Sequence, residues 1–195
     1  QVYNEGKEPV QLSFRDVPKH IYIDCEPEII EPKKEGRILI TYLTEKVKDW
    51  GMQRHQFELF VKGKETKMKD NRITITADIW EDFSDMSRKE RENAPVIEVS
   101  SRQLDFGECK QPVTKSIIIT NNGKSKMQIR KIMNDMPNVF VTKLSNTSVR
   151  SGASVTLEVT FVPSECKMSS INHHFTIICN DPANSRVIVN MNADK

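Results

Sequence analysis

The chain has 195 residues, of which 37% are hydrophobic and 29% charged, so it is long enough for one large domain or two domains of about 100 residues each. With 29 Lys and Arg residues against 27 Asp and Glu, its net charge is +2, and this balance does not indicate nucleic acid as a partner. No apolar run approaches the roughly 20 residues that cross a bilayer, so we predict no transmembrane segment.

Six segments, taken in chain order, alternate apolar and polar residues and are rich in β-branched side chains, as half-buried strands are. They are residues 37–42, 57–61, 73–77, 116–120, 155–161 and 187–191. Turn signals such as Asn122-Gly123 and Ser151-Gly152 separate them. Short strands at this spacing predict an all-β fold built from antiparallel strands.

Residues 84–94 break the alternation, because they are highly charged and contain no Gly or Pro before Pro95. Ser84 or Ser87 could cap a short helix that has acidic residues in its first turn. We therefore predict a helical linker at 84–94 between a domain at 1–83 and a second domain at 95–195.

The two halves resemble each other at an offset that stays between 116 and 119 residues. Residues 3–7 match 120–124, His55-Gln56-Phe57 matches His173-His174-Phe175, and residues 75–78 match 191–194. This register predicts two copies of one β domain in tandem.

The first copy lacks the opening strands of the second, whose counterparts would lie about 20 residues before Gln1. A sandwich without them has an open sheet edge and a partly wet core. Two explanations remain open: the chain derives from a longer precursor, or a partner chain donates a strand to the incomplete first domain.

The second copy also carries an ordered series of short motifs. They are Pro95-Val96-Ile97-Glu98-Val99, Leu104-Asp105-Phe106-Gly107, Thr160-Phe161-Val162-Pro163 and Cys179-Asn180-Asp181-Pro182. In this order they resemble the two-domain immunoglobulin-like, Hydin-type proteins of unknown function from the cell envelope of Gram-negative gut bacteria. Many of those relatives carry a Cys-Gly-Cys segment where this chain has Ile23-Asp24-Cys25-Glu26-Pro27, so no activity of that cysteine pair is carried over.

The resemblance implies two tandem immunoglobulin-like β-sandwiches joined by the short helical linker. In that topology the turn with Cys109 and the loop with Cys166 lie at the same end of the second domain. A disulfide between them is therefore a candidate in an oxidising compartment, with separate free thiols as the alternative. The resemblance further implies a periplasmic or cell-envelope location, although no signal peptide stands in this chain.

The four histidines do not indicate a metal site. His55 and His173 occupy matching places in the two copies, where a half-exposed imidazole at a strand start needs no ligand. His173 and His174 are adjacent and point to opposite faces of a strand, so they cannot chelate one ion together. We predict no metal, no cofactor and no catalytic residue, since metalloprotease, serine-hydrolase and phosphate-loop motifs are also missing from the sequence.

Two charged segments have simple structural interpretations. In residues 80–85, we expect Trp80 and Phe83 to pack while the acidic residues stay solvated, because the spacing is not that of a calcium loop. A second group forms the positive tip of a hairpin; its members are Lys62, Lys64, Lys67, Lys69 and Arg72.

These observations predict a non-enzymatic cell-envelope protein that binds or scaffolds other proteins or glycans through its immunoglobulin-like domains. Two alternatives remain. One is an assembly or chaperone-type protein that binds client strands at a sheet edge. The other is an intracellular scaffold similar to Hydin and major sperm protein.

Overall fold

The computed structural model describes residues 1–64 and 71–195, so Lys67 and Lys69 of the predicted hairpin lie outside the described residues. It divides into two compact units, Gln1–Ile79 and Trp80–Lys195. The domain bounds at residues 83 and 95 stay predictions. Each unit is built of strands, as the alternation in the sequence predicts.

The first unit forms two antiparallel sheets. One has the order β1-β5-β3 and the other the order β4-β2-β6-β7. A 3-10 helix at Thr44–Lys46 follows β5. The strands are β1 Val2–Tyr3, β2 Val10–Arg15, β3 Ile21–Glu26, β4 Ile29–Ile30, β5 Glu35–Tyr42, β6 Gly51–Val61 and β7 Arg72–Ile79.

The second unit also has two sheets, with the orders β12-β14-β10-β8 and β13-β11-β15-β16-β9. Its last strand, β16, pairs with β15 on one side and, in parallel, with β9 on the other. A 3-10 helix at Pro163–Glu165 follows β14. The strands are β8 Ile97–Val99, β9 Gln103–Glu108, β10 Val113–Asn121, β11 Met127–Met133, β12 Phe140–Leu144, β13 Ser148–Val149, β14 Ser154–Phe161, β15 Ser170–Cys179 and β16 Arg186–Asp194.

The charged segment before β8 forms the predicted helix, α1, at Arg88–Glu92. Ser87 caps it, because the Ser87 side chain accepts from the Glu90 backbone N–H while the Glu90 carboxylate accepts from the Ser87 backbone N–H. The Ser87 hydroxyl and the Ser87 backbone N–H both donate to the Glu90 carboxylate, and these two bonds lower the pKa of Glu90. The helix buries none of its residues, so its local capping accounts for its position.

The core of the second unit lies between its two sheets. On β16, Val187, Val189, Met191 and Ala193 are all at most 2% exposed, and the residues between them face outward. Phe140 and Phe161 are fully buried and pack at a centroid distance of 5.3 Å. Burial of such side chains contributes roughly 1.5–3 kcal/mol each, which makes this core the main source of the unit's stability.

The first unit is less completely buried. The inward residues of β7, Ile73, Ile75 and Ala77, are only half-buried. On β5, Ile40 is 41% exposed, although it pairs with the inward-facing Ile23 of β3. The unit therefore has apolar surface that its own described strands do not cover.

A buried asparagine stands at the same place in each unit. Asn121 is fully buried; its side-chain amide donates to the carbonyls of Ser125 and Val149, and its Oδ1 accepts from Gly123 N–H. Asn4 repeats this set, because it donates to Glu8 and Ile30 and accepts from Gly6 N–H. Each asparagine satisfies backbone groups of a turn that no strand partner reaches.

We predict that Asn121→Ala lowers the free energy of unfolding by about 2–4 kcal/mol, because the buried Val149 C=O and Gly123 N–H lose their partner. Urea denaturation measures the change. Asn190→Ala is the matched control, since Asn190 lies exposed on β16, and it should leave stability nearly unchanged. Equal losses in the two variants would contradict the role assigned to the Asn121 network.

Candidate functional site

The outer edge of β7 is the first candidate site. Leu59 N–H donates to Asn71 O at 2.8 Å, and this bond fixes which residues of β7 face β6. Hydrogen-bonded pairs alternate along an antiparallel ladder, so Ile73 and Ile75 exchange bonds with β6. The backbone N–H and C=O groups of Thr74 and Thr76 therefore point away from β6, toward the outer edge.

The corresponding edge of the second unit is closed. Asn190 N–H on β16 donates to Arg102 O at 2.9 Å, and Cys109 N–H donates to Asp194 O at 2.9 Å. At the offset of 116 residues, Asn190 matches Thr74 and Asp194 matches Asp78. In the part of the chain that the structure describes, no strand pairs with the outer edge of β7.

A second candidate is a group of three polar side chains in the first unit, which we call the histidine cluster: His20, Tyr42 and His55. His20 directly precedes β3, Tyr42 ends β5, and His55 lies on β6 in the opposite sheet. The two Nε2 atoms of the histidines are 3.1 Å apart, and the Tyr42 hydroxyl lies 2.9 Å from His55 Nε2. The histidine ring centroids are 4.4 Å apart with the planes at 67°.

The surroundings shift the pKa values of His55 and Tyr42, two members of the histidine cluster. Burial lowers the pKa of His55, and His20 nearby lowers it further. Burial also raises the pKa of the Tyr42 hydroxyl. Sequence reasoning missed this cluster, because 35 residues separate His20 from His55 and only the packing of the two sheets brings them together.

The same place in the second unit is apolar except for one histidine. Val162 N–H donates to Val139 O there, just as Leu43 N–H donates to His20 O in the first unit, so Val139 corresponds to His20. Phe161 ends β14 as Tyr42 ends β5, and the sequence register matches His173 to His55. Val139 and Phe161 are 6% and 0% exposed. The fold therefore does not require polar side chains at these positions.

His173 and His174 behave as their adjacency on a strand predicts. His173 stacks on Phe140 with a centroid distance of 6.1 Å, while His174 is exposed. His173 Nε2 is buried without a hydrogen-bond partner. Burial lowers the pKa of His173, His174 lowers it further, and Asp135 acts in the opposite direction.

Cys109 and Cys166 are buried free thiols in the core of the second unit. Cys109 Sγ donates to Phe106 O and Cys166 Sγ to Met168 O. Both cysteines are hydrogen-bonded to the end of β16 and the residue after it. Asp194 O accepts from Cys109 N–H, and the side chain of Lys195 donates to Cys166 O. The disulfide between them stays a prediction.

The remaining cysteines are poor nucleophiles. Burial raises the pKa of Cys179 to about 11 and also raises the pKa of Cys25. A thiol with a raised pKa is protonated at neutral pH and reacts slowly.

The charged segments of the sequence lie at the surface of their units. Glu81 does not stay solvated as expected but pairs with Arg130 at 2.8 Å. Trp80 does not pack into the core as expected, because it is 55% exposed and its ring instead contacts the Arg186 guanidinium, 3.4 Å from the ring centroid. In the predicted hairpin, the Nζ atom of Lys64 lies 3.8 Å from Oε2 of Glu8. Lys62 directly follows the last residue of β6. The exposed Lys64–Glu8 pair contributes little to stability, whereas the Glu81–Arg130 pair is partly buried and makes two hydrogen bonds.

Neither a metal cluster nor a membrane-spanning helix is evident in the described part of the chain. No three His, Cys, Asp or Glu side chains among residues 1–64 and 71–195 group in a way that could hold an ion. No helix among these residues is long and apolar enough to cross a membrane.

Comparison with known proteins identifies the family. The model of the HYDIN/CFA65/VesB-like Ig-like domain matches residues 95–194, which is just over half of the chain. The protein is therefore a member of this family of Ig-like domains. No curated protein sequence matches the chain.

Solved structures agree on the fold. A protein of unknown function from Porphyromonas gingivalis W83 shares 19% identity at a TM-score of 0.69, over 99% of this chain and 88% of that one. The VesB protease of Vibrio cholerae shares 15% identity at a TM-score of 0.43, over 71% of this chain and 45% of that one. The first likeness shows the fold, and the second is too distant to carry an argument.

We predict that His173→Phe reduces the loss of stability in acid. The pKa of His173 in the folded chain lies below the value of about 6.5 in the unfolded chain. The unfolded state therefore binds the proton more readily, so the stability present above about pH 6.5 is lost as the pH falls.

Urea denaturation at about pH 5 and about pH 8 measures the effect. His173→Phe should be more stabilising at the lower pH, because it removes a group that the unfolded chain protonates more readily than the folded chain. Asn172→Gln, an exposed and uncharged neighbour on β15, is the control and should keep the wild-type dependence on pH. The same slope in His173→Phe as in wild type would refute the assignment.

Proposed function

We propose that this is a non-enzymatic protein of the cell envelope that binds a partner protein, and that its first unit takes up an extended segment of that partner along the outer edge of β7. The membership in a family of Ig-like domains supports a binding role. So does the edge geometry, since an added strand gains main-chain hydrogen bonds with the exposed groups of an edge.

The observation that carries this proposal is the difference in burial between β7 and β16. Val189, Met191 and Ala193 of β16 are at most 2% exposed, whereas Ile73, Ile75 and Ala77 of β7 are half-buried. In the second unit β9 supplies the missing cover, because its Leu104 and Phe106 point inward at 6% and 7% exposure. A strand placed on β7 in the same way would bury apolar surface of the first unit.

This comparison also defines the partner segment. By analogy with β9, it would run parallel to β7 and carry two apolar residues that are separated by one polar residue. Its carbonyls would accept from Thr74 N–H and its neighbours along the edge, as Arg102 O accepts from Asn190 N–H. Backbone pairing would give the affinity, and the two apolar side chains would give the selectivity.

A peptide with the sequence of residues 100–108 is the direct probe, because it contains the strand that pairs with β16. We predict that it binds the first unit and protects the amides of Thr74 and Thr76 from hydrogen exchange. Thr76→Pro should weaken binding about tenfold or more, since proline removes an edge N–H that β6 does not use. Thr76→Val keeps the N–H and should bind as wild type.

Three results would sink the proposal. The first is binding that survives Thr76→Pro, and the second is protection confined to β16, which would mean displacement of β9. The third is binding by the 195-residue chain but not by the protein from native cells, because the edge would then be filled within that protein. A peptide with both apolar residues replaced by Asp is the control for selectivity.

The same peptides discriminate the alternative functions. An assembly or chaperone-type protein binds many extended sequences with little preference, whereas a scaffold favours one alternating pattern. A glycan partner would leave the β7 amides unprotected. We propose the protein scaffold, because the half-buried apolar face of β7 suits apolar side chains better than a sugar.

A cell-envelope location predicts that Cys109 and Cys166 are joined in the native protein. A thiol oxidant of that compartment would take up the two electrons and two protons when the S–S bond forms. Trapping of free thiols in denaturant, applied to fractionated native cells and followed by mass spectrometry, tests this, because denaturation makes buried thiols accessible. Cys25 and Cys179 are the internal controls and should be trapped as free thiols.

The expected result is an envelope fraction in which only Cys109 and Cys166 escape trapping. A cytosolic protein with all four thiols free would overturn the location and favour an intracellular scaffold. An envelope protein with four free thiols would keep the location and remove the disulfide.

A further inference from the structure

The histidine cluster has more hydrogen-bonding neighbours than its atoms can satisfy. His55 Nε2 carries either one lone pair or one hydrogen, so it makes one well-directed hydrogen bond. Yet His20 Nε2 lies at 3.1 Å and the Tyr42 hydroxyl at 2.9 Å from this one atom. Polar atoms that converge in this way are typical of ligands around a cation.

The spacing of the nitrogens fits one ion between them. Zinc binds imidazole nitrogen at about 2.0–2.1 Å, and two such bonds meeting at 90–110° place the nitrogens about 2.9–3.4 Å apart. The two Nε2 atoms are 3.1 Å apart without any movement. The ring centroids are only 4.4 Å apart, so the rings approach each other at an angle and are not aligned end to end.

The second unit shows that this arrangement is not a requirement of the fold. Its corresponding positions hold the buried side chains of Val139 and Phe161 beside His173. Polar residues replace apolar ones in the first unit at two of three positions, and the three side chains contact each other. This replacement calls for a role other than packing.

We propose that His20 and His55 chelate one divalent transition-metal ion of the kind that prefers imidazole, such as Zn²⁺, Ni²⁺ or Cu²⁺. Each histidine donates the lone pair of Nε2 and carries its hydrogen on Nδ1. Water completes the coordination, and Tyr42 is a positioning residue whose hydroxyl lies near a water on the ion. Hard cations such as Ca²⁺ are disfavoured, because they need several oxygen ligands.

The ion would link the two sheets of the first unit, since His55 lies on β6 and His20 precedes β3. An ion that binds the folded state and not the unfolded chain stabilises the fold in proportion to its concentration. The site would therefore act as a metal-dependent clamp on a unit whose apolar core is incomplete.

Thermal unfolding of the chelator-treated chain with increasing Ni²⁺ or Zn²⁺ tests the proposal. The melting temperature of wild type should rise with the metal, and calorimetric titration should show one ion per chain. His20→Gln and His55→Gln should each weaken binding at least tenfold, because one ligand remains. Tyr42→Phe should keep most of the affinity, since both nitrogens remain.

His174→Gln is the matched control, because it removes one exposed histidine that is not part of the cluster, and it should bind as wild type. Equal binding by wild type and the two cluster variants would overturn the proposal, as would equal loss in His174→Gln or no binding by wild type. If the cluster variants do not fold, NMR spectra of wild type with paramagnetic Cu²⁺ test the site instead. Selective broadening of the ring resonances of His20 and His55 supports the site, and equal broadening of His173 and His174 refutes it.

Discussion

The parallel pairing of β9 with β16 is the interaction on which the burial of the second unit depends. It places Leu104 and Phe106 over the core and satisfies the backbone at the outer edge of the last strand. Every inward residue of β16 is then buried. The first unit lacks this pairing among its described residues, and its inward residues on β7 are half-buried. Without such a strand, the outer edge of β7 stays open in the described part of the first unit.

The first sheet of each unit shows the same dependence. In the second unit β10 pairs with β14 along eight residues, and Val159 of β14 is fully buried. In the first unit β1 pairs with β5 only at Val2 and Tyr3, and Ile40 of β5 is 41% exposed. Incomplete pairing therefore leaves apolar surface in both sheets of the first unit, and the proposed strand along β7 would extend only the sheet that contains β7.

Most of the fold follows from local patterns in the sequence. Alternation of apolar and polar residues predicted six strand segments, but it found only residues 57–61 of β6 and missed β15, whose second half is buried on both faces. A serine followed three residues later by Glu90 is the signature that places the start of α1. The two-residue strands at Ile29–Ile30 and Ser148–Val149 carry too little pattern to be found in this way. The register between the halves pointed to the open edge before any strand order was known.

Local patterns in the sequence could not predict the histidine cluster. Its members have no fixed spacing, and His55 matches a histidine in the other half that has an ordinary packed environment. A signal was present in the register, which sets His20 against Val139 and Tyr42 against Phe161. A comparison of the two copies, position by position, would have found the cluster as polar residues that stand where the other copy has apolar ones. Such polar residues are costly in a core unless their polar atoms have hydrogen-bond partners.

The open edge and the histidine cluster both involve the antiparallel pair β6–β7. His55 on β6 pairs with Ile75 on β7, and Ile75 lies between Thr74 and Thr76, whose backbone groups face the edge. An ion at His55 and a strand on β7 would each favour the folded arrangement of this β6–β7 ladder. Two ligands that stabilise the same state support each other's binding, and the effect is reciprocal. Occupation of the proposed metal site would therefore strengthen the hold of the first unit on a strand, whereas the second unit has buried apolar side chains at two of the three corresponding positions.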